Sequence, residues 1–260
     1  MKFSGNIAIV TGASTGVGEA IAQELYDRGL TVVITARDSA AVEATAQNMD
    51  PLGLRVLPMV ADVKDHISVK NLIDSVMEQF GRIDYLVNNA GITGPHGVII
   101  CDYDVADWQE VIQTDLSGVF YGMKYAIPAM IKTGGGAVVN LSAVNGMVGI
   151  PGIAPYTCAK HGVVGLTQSV ALEFAEKGVR VNALAPGYVD TARMKELPES
   201  IRQVMAESHP MKRMAKPEEV GKLAAFLLSD EASFITGGCY TVDGGYTAQY
   251  RGASLPSAVL

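Results

Sequence analysis

Short runs of Val, Ile and Leu recur at 7–11, 31–36, 55–60, 85–88, 137–142, 180–184 and 240–242, and longer stretches between them place apolar residues every three or four positions. The short runs are apolar at consecutive positions, the pattern of strands buried on both faces, and stretches such as 19–28 and 68–80 read as amphipathic helices. Alternation of the two predicts βαβ units, and hence an α/β fold: a doubly wound parallel sheet of about seven strands with helices on both faces. The rhythm breaks between Pro186-Gly187 and about Ala215, and again in the tail 251–260. Ligands of open α/β sheets sit beyond the carboxyl ends of the strands, so a long excursion after a late strand is placed to act as a substrate lid over 188–215. No internal repeat or low-complexity linker interrupts the pattern, so residues 1–250 are expected to form one domain.

Composition narrows the partners. With 260 residues, 48% hydrophobic and 18% charged, the chain can bury a full core. A net charge of -7 and a pI of about 5.1 argue against nucleic acid or an anionic membrane surface and point to a small-molecule substrate. No apolar run reaches the roughly 18 residues that span a bilayer, and the segment from Met1 to Asn6 lacks the apolar core of a signal peptide, so a soluble cytoplasmic protein is expected. Cys101, Cys158 and Cys239 are odd in number and far apart, which suits reduced thiols. His66, His96, His161 and His209 are equally scattered, and no metal site is expected.

Two motifs carry chemistry. The first strand leads directly into Thr11-Gly12-Ala13-Ser14-Thr15-Gly16-Val17-Gly18 and then a helix. Glycines there permit a tight turn and close approach of backbone to a pyrophosphate, which free N–H groups at the helix N-terminus attract. The second motif is Tyr156-Thr157-Cys158-Ala159-Lys160. A helix puts its phenol and ammonium on one face, and the lysine charge favours phenolate, so the pair is expected to make an acid or base near a carbonyl. In isolation the pattern also suits a packed tyrosine and a solvated lysine.

Taken together, the motifs resemble those of the short-chain dehydrogenase/reductase family over roughly residues 3 to 249. The glycine spacing T-G-x-x-x-G-x-G, Asp62-Val63 after the third strand, Asn88-Asn89-Ala90-Gly91 after the fourth, Tyr156-x-x-x-Lys160, and Pro186-Gly187 followed by Thr191 carry the resemblance. It implies a Rossmann-type sheet in the order 3-2-1-4-5-6-7 and a nicotinamide dinucleotide as cofactor. By the same resemblance Asp62 and Val63 contact adenine, Asn88, Asn89, Ala90 and Gly91 shape the cofactor cleft, and Val189 and Thr191 hold the carboxamide. Asp62 capping a turn and the asparagines filling a loop are the plainer alternatives. An acidic residue at the end of the second strand would bind the ribose 2′-hydroxyl, but that position is Ala36 and the next is Arg37. Its guanidinium suits a 2′-phosphate, favouring NADP(H), with NAD(H) left open because no basic residue occupies the glycine loop.

The family's reaction passes hydride between nicotinamide and substrate carbon while the tyrosine handles the oxygen's proton; the lysine lowers the tyrosine pKa and holds the ribose. A serine binds the substrate oxygen, and an asparagine in the long helix after the fourth strand anchors a water near the lysine. Here the serine position, thirteen before Tyr156, is Ala143, and the asparagine position is Asp115. Ser142 is adjacent, but strand alternation turns it away unless a bend intervenes. Asp115 either preserves the asparagine's backbone role or pairs with Lys160 and alters the relay.

Three explanations compete for Ala143: a natural variant with another donor, a protein whose work is not redox, and a chain in which serine was deliberately replaced. The leading expectation is reversible NADP(H)-linked reduction of a ketone or aldehyde, or oxidation of a secondary alcohol. The alternatives are elimination, epimerisation or cyclisation on the same fold, or a non-catalytic cofactor sensor. Tyr188, Met194, Leu197, Met205, Met211 and Met214 in the excursion suit a bulky apolar or alicyclic substrate, although methionines also fill cores. The resemblance further implies a homotetramer, with helices 108–132 and 154–177 forming one two-fold interface and 240–249 another. The tail 251–260 is expected to be disordered or to cross a subunit boundary.

Overall fold

The apolar runs pair side by side in a computed structural model that describes residues 1–249. In chain order the principal elements are β1 (Ile7–Thr11), α1 (Gly16–Asp27), β2 (Thr31–Ala36), α2 (Ser39–Met49), β3 (Val56–Val60), α3 (His66–Phe80) and β4 (Tyr85–Asn88). They continue with α4 (Val105–Ile112), a π-helical turn (Gln113–Ser117), α5 (Gly118–Lys132), β5 (Gly136–Leu141), α6 (Ala154–Phe174) and β6 (Val179–Pro186). The last are α7 (Ala192–Lys195), α8 (Glu199–Glu207), α9 (Pro217–Leu228) and β7 (Cys239–Val242). Among the described residues the sheet has seven parallel strands in the order β3-β2-β1-β4-β5-β6-β7, as expected. The tail 251–260 lies outside the described residues, as does the last position of the expected domain.

Alternation along buried strands feeds two cores. Ala8, Val10, Val32 and Ile34 pack beneath Ile21 and Leu25 of α1, Val42 and Ala46 of α2, and Val220 and Ala224 of α9. Ile7, Ile9, Val33 and Leu86 face the other way, onto Leu72 and Val76 of α3, Met123 and Ile127 of α5, and Val163 of α6. Consecutive apolar residues are therefore needed because each strand has no solvent face. Among the described residues no helix is long and apolar enough to cross a membrane.

Local departures from the expected elements concern the ligand end of the sheet. β5 stops at Leu141 rather than at Ser142, and β6 runs on to Pro186 because Ala185 and Pro186 pair with Thr241 and Val242 of β7. The long helix expected over 108–132 begins earlier, at Val105, and is broken by the π-helical turn, a feature that apolar periodicity does not reveal. The excursion after β6 is closed at its root: Asp190 N–H donates to the Ala215 carbonyl (2.8 Å) and Ala215 N–H to Tyr188 (2.9 Å).

The exit from that excursion is secured by charge. Glu219, in the first turn of α9, accepts from the Arg213 guanidinium at 2.7 and 2.8 Å and from the Lys216 backbone N–H at 2.7 Å. Those bonds, the guanidinium's first and the N–H next, lower the carboxyl from 4.5 to about 2 against a small opposing effect of burial. A depressed carboxyl stabilises the fold above its unfolded pKa and loses that contribution as pH falls through the folded value. The pair is well exposed, so Glu219→Gln is expected to cost only about 0.5–1 kcal/mol at neutral pH. In urea unfolding at a series of pH values, the deficit should shrink between pH 4.5 and about 2; a deficit independent of pH would show that the charge contributes nothing.

Candidate active site

The β1–α1 loop, the ends of β2 and β3, and the segment after β4 enclose a cleft of about 880 Å³. Its floor demands glycine. Gly12 has φ of 63°, in the left-handed region, and a Cβ there would lie 2.6 Å from Ala90 Cα. A Cβ on Gly18 would lie 2.3 Å from the Gly12 carbonyl oxygen and 2.4 Å from Asn89 Nδ2. Asn89 fastens the floor: its Nδ2 donates to the carbonyls of Thr11 and Gly12, each at 2.9 Å. Thr11 Oγ1 in turn accepts from the N–H groups of Asn89 (3.0 Å) and Ala90 (3.1 Å). Asn88 does something different from cleft shaping; it is buried and its Nδ2 donates to Asn140 of β5 at 2.8 Å.

The cleft wall brings together Gly12, Ser14, Thr15, Gly16, Val17, Gly18, Arg37, Asp62, Val63, Asn89, Ala90, Gly91 and Thr191. Thr15, the cap residue of α1, makes no side-chain capping bond, so the first N–H groups of that helix remain available to a ligand. Thr35 Oγ1, buried at the end of β2 in the same wall, has no hydrogen-bond partner among the described residues. Arg37 is exposed and makes no ion pair there, because the neighbouring Asp38 instead caps α2 by accepting from Ala41 N–H at 3.0 Å. Asp62 does cap its turn, accepting from Lys64 N–H at 3.0 Å, while also lining the cleft. Free N–H groups, an orphaned hydroxyl and an exposed guanidinium around a glycine floor form a donor set suited to the phosphates of a dinucleotide.

A second pocket of about 400 Å³ adjoins the cleft and shares Val17, Asn89, Gly91 and Thr191 with it. It holds Asp115, Ser142, Ala143, Tyr156, Lys160, Pro186, Gly187 and Val189. From the excursion Tyr188, Met194 and Met205 line it; Leu197, Met211 and Met214 do not. Pro155 in the first turn of α6 suits the start of a helix, and the helix sets Tyr156 and Lys160 one turn apart. Lys160 is buried, with Nζ 5.4 Å from the centroid of the Tyr156 ring. It donates to the Leu141 carbonyl at 2.9 Å and pairs with Asp115 Oδ2 at 3.1 Å. The π-helical turn carries Asp115 into this position, where its Oδ1 accepts from Ile92 N–H at 2.7 Å.

Of the two readings left open for Asp115, the structure displays the direct ion pair. The electrostatics of the tyrosine also differ from the expectation of a lysine pulling the phenol down. Burial raises the Tyr156 pKa, the Lys160 ammonium opposes that, and the Asp115 carboxylate adds to the rise, leaving a net upward shift. Burial likewise raises Asp115, against the pull of Lys160 and Ile92 N–H. For Lys160, burial lowers the ammonium's pKa but the facing Asp115 and Tyr156 outweigh it, and the balance is upward.

Ser142 borders the pocket, but its hydroxyl is engaged elsewhere. Its Oγ donates to the Lys160 carbonyl at 3.0 Å, towards α6, and extended backbone at Ala143 gives that methyl the pocket face. Asn145, in the short 3-10 turn Val144–Gly146, also lines the pocket. No motif drew attention to Asn145; the turn that follows Ala143 brings it to the pocket.

A family model described as Enoyl-(Acyl carrier protein) reductase matches residues 12–247. The cis-4-hydroxycyclohexanecarboxylate dehydrogenase of Sinomonas cyclohexanicum is 44% identical over 246 residues, 95% of this chain and 98% of that protein. The cyclohexanol dehydrogenase of Acinetobacter sp. is 38% identical over 248 residues, 95% of this chain and 97% of its own. The solved structure of gox2181 superposes with a TM-score of 0.91 at 32% identity, covering 95% of this chain and 98% of the other. The chain belongs to the short-chain dehydrogenase/reductase family and is an oxidoreductase of that family.

The ion pair makes the phenol's titration testable. Asp115→Asn removes an anion that disfavours phenolate, so Tyr156 should ionise at lower pH than in the parent. Near-ultraviolet tyrosinate absorbance, taken as the difference between each chain and its Tyr156→Phe counterpart, measures this. A titration that stays in place or moves upward would show that the carboxylate is not felt at the phenol.

Proposed function

We propose that the protein catalyses reversible, NADP(H)-dependent reduction of an alicyclic ketone, or oxidation of the corresponding secondary alcohol. The observation that carries this reading is the continuity of the Tyr156–Lys160 pocket with the glycine-floored cleft, which sets an acid/base group beside the place where a bound dinucleotide ends. The nicotinamide supplies the hydride donor or acceptor when bound. Tyr156 donates its phenolic proton to the substrate oxygen in reduction and takes the hydroxyl proton in oxidation. Lys160 holds the nicotinamide ribose and keeps the phenol within reach of its charge. Gly12, Ser14, Thr15, Gly16, Val17 and Gly18 receive the pyrophosphate, Asp62 and Val63 the adenine, and Asn89, Ala90 and Gly91 the wall behind it. Pro186, Gly187, Val189 and Thr191 flank the carboxamide.

Ile150, Pro151, Ile153, Met194 and Met205 give the pocket apolar walls, which suit a ring of carbon atoms and exclude water from the reacting carbonyl. The likeness to cyclohexanol dehydrogenase and cis-4-hydroxycyclohexanecarboxylate dehydrogenase, both named for alicyclic alcohols, supports the same substrate class. Residues 188–215 act as the lid over this pocket. The protein works as a cytoplasmic homotetramer in which helices over 108–132 and 154–177 form one two-fold interface.

Oxidation of NADPH by a panel of cyclic and linear ketones tests the reaction: cyclic ketones should be turned over best, and product without net redox change would sink the reading. Tyr156→Phe should lower turnover by about 100- to 10,000-fold, the usual contribution of a general acid. For the cofactor, Arg37→Ala should weaken NADPH by about 1.5–3 kcal/mol, as for loss of a charged hydrogen bond, and leave NADH nearly unchanged. Equal losses for both nucleotides in a binding titration would remove Arg37 from the phosphate site.

A further inference from the structure

We infer that Asn145 supplies the hydrogen bond to the substrate oxygen that the methyl of Ala143 cannot make. The inference rests on the carbonyl chemistry proposed above and identifies a donor within it. Asn145 is 5% exposed and lines the pocket that also contains Ala143, Tyr156 and Lys160. Its amide is anchored once: Nδ2 donates to Thr157 Oγ1 at 3.2 Å, and it makes no other side-chain hydrogen bond among the described residues. An amide nitrogen has two hydrogens, so one remains for the pocket. If the amide is turned over, the threonine hydroxyl donates to Oδ1 and both hydrogens remain, so either assignment leaves a donor.

Three polar neighbours in the pocket are already engaged. Ser142 Oγ is bound to the Lys160 carbonyl. Asp115 holds Ile92 N–H and Lys160. Lys160 donates to Leu141 as well as pairing with Asp115. Thr157 sits beside Tyr156 on α6, so the contact that anchors Asn145 also ties it to the helix bearing the acid. In carbonyl reduction, electron density moves onto the oxygen as hydride reaches the carbon. Tyr156 transfers the proton, while the Asn145 N–H donates a hydrogen bond and transfers none. A donor aimed at developing charge acts mainly on the transition state, so its loss should appear in kcat.

The test uses the full chain, a cyclic ketone and NADPH. Asn145→Ala should lower kcat by about 100-fold or more with KM changed little, and Asn145→Asp, which keeps the shape but removes the amide hydrogens, should fall similarly. NADPH binding measured by nucleotide fluorescence should match the parent in both variants, which separates loss of the donor from loss of the fold. Ala143→Ser should raise kcat by at least about tenfold in the Asn145→Ala background and by less in the parent, because there the donor is already present. An active parent that is indifferent to Asn145→Ala, or a parent that gains as much from Ala143→Ser as the Asn145→Ala chain does, overturns the inference while leaving the proposed reaction standing. A parent with no Tyr156-dependent turnover overturns both.

Discussion

One buried ammonium connects the parts of this protein on which its site depends. Lys160 Nζ has almost no contact with solvent, and an isolated charge in such a place costs several kcal/mol. Here it is met by the Leu141 carbonyl at the end of β5 and by Asp115 on the π-helical turn. The cation thereby fixes α6 against the sheet on one side and the α4–α5 junction on the other. Tyr156 stands one helical turn away and inherits the orientation. Asp115 shares the ammonium's charge and, together with burial, shifts the Tyr156 pKa upward, which favours the protonated phenol. That state suits proton donation to a carbonyl.

Sheet topology explains why the cleft lies next to this pair. The strand order runs outward from β1 to β3 on one side and from β4 to β7 on the other. Connections on the two sides pack helices against opposite faces, and a crevice opens where they diverge, beyond the carboxyl ends of β1 and β4. The glycine loop and Asn89 both occur at that divergence. The backbone there is locked by Thr11 and Asn89 rather than by the ligand, so the floor is formed by the protein's own hydrogen bonds. Preformed geometry of this kind lowers the entropy lost when a ligand binds.

Beyond the cleft, apolar side chains from the segment after β5 and from the excursion after β6 line the second pocket beside the polar groups of Asp115, Asn145, Tyr156 and Lys160. In such surroundings each hydrogen bond is stronger than in water, and each missing one is felt more. This gives weight to the amide of Asn145 and to the methyl of Ala143. The bridge between Val189 and Ala215 holds the ends of the excursion together, and Met194 of α7 and Met205 of α8 line the pocket from within it.

Much of the fold was legible because its physical causes are local. Apolar runs with no polar alternation required strands without a solvent face, and the spacing of Gly12, Gly16 and Gly18 required a backbone turned tightly against a helix N-terminus. The departures at Ala143 and Asp115 were visible by counting along the chain from Tyr156. What those residues touch was not visible. The partner of Asp115 depends on a single π-helical turn between α4 and α5, which no sequence motif marks. The hydroxyl of Ser142 is drawn to a backbone carbonyl on α6, a group that every residue possesses and no sequence pattern marks. Asn145 belongs to no motif; it enters the pocket because a short turn after β5 follows extended backbone. The amino-acid sequence by itself therefore determined the sheet, the glycine floor and the pairing of a phenol with an ammonium, since these follow from periodicity and steric allowance along the chain. Only the tertiary structure decided the counter-ion of Lys160, the hydrogen-bond partner of Ser142 and the placement of Asn145, because each depends on distances between segments that the chain brings together only on folding.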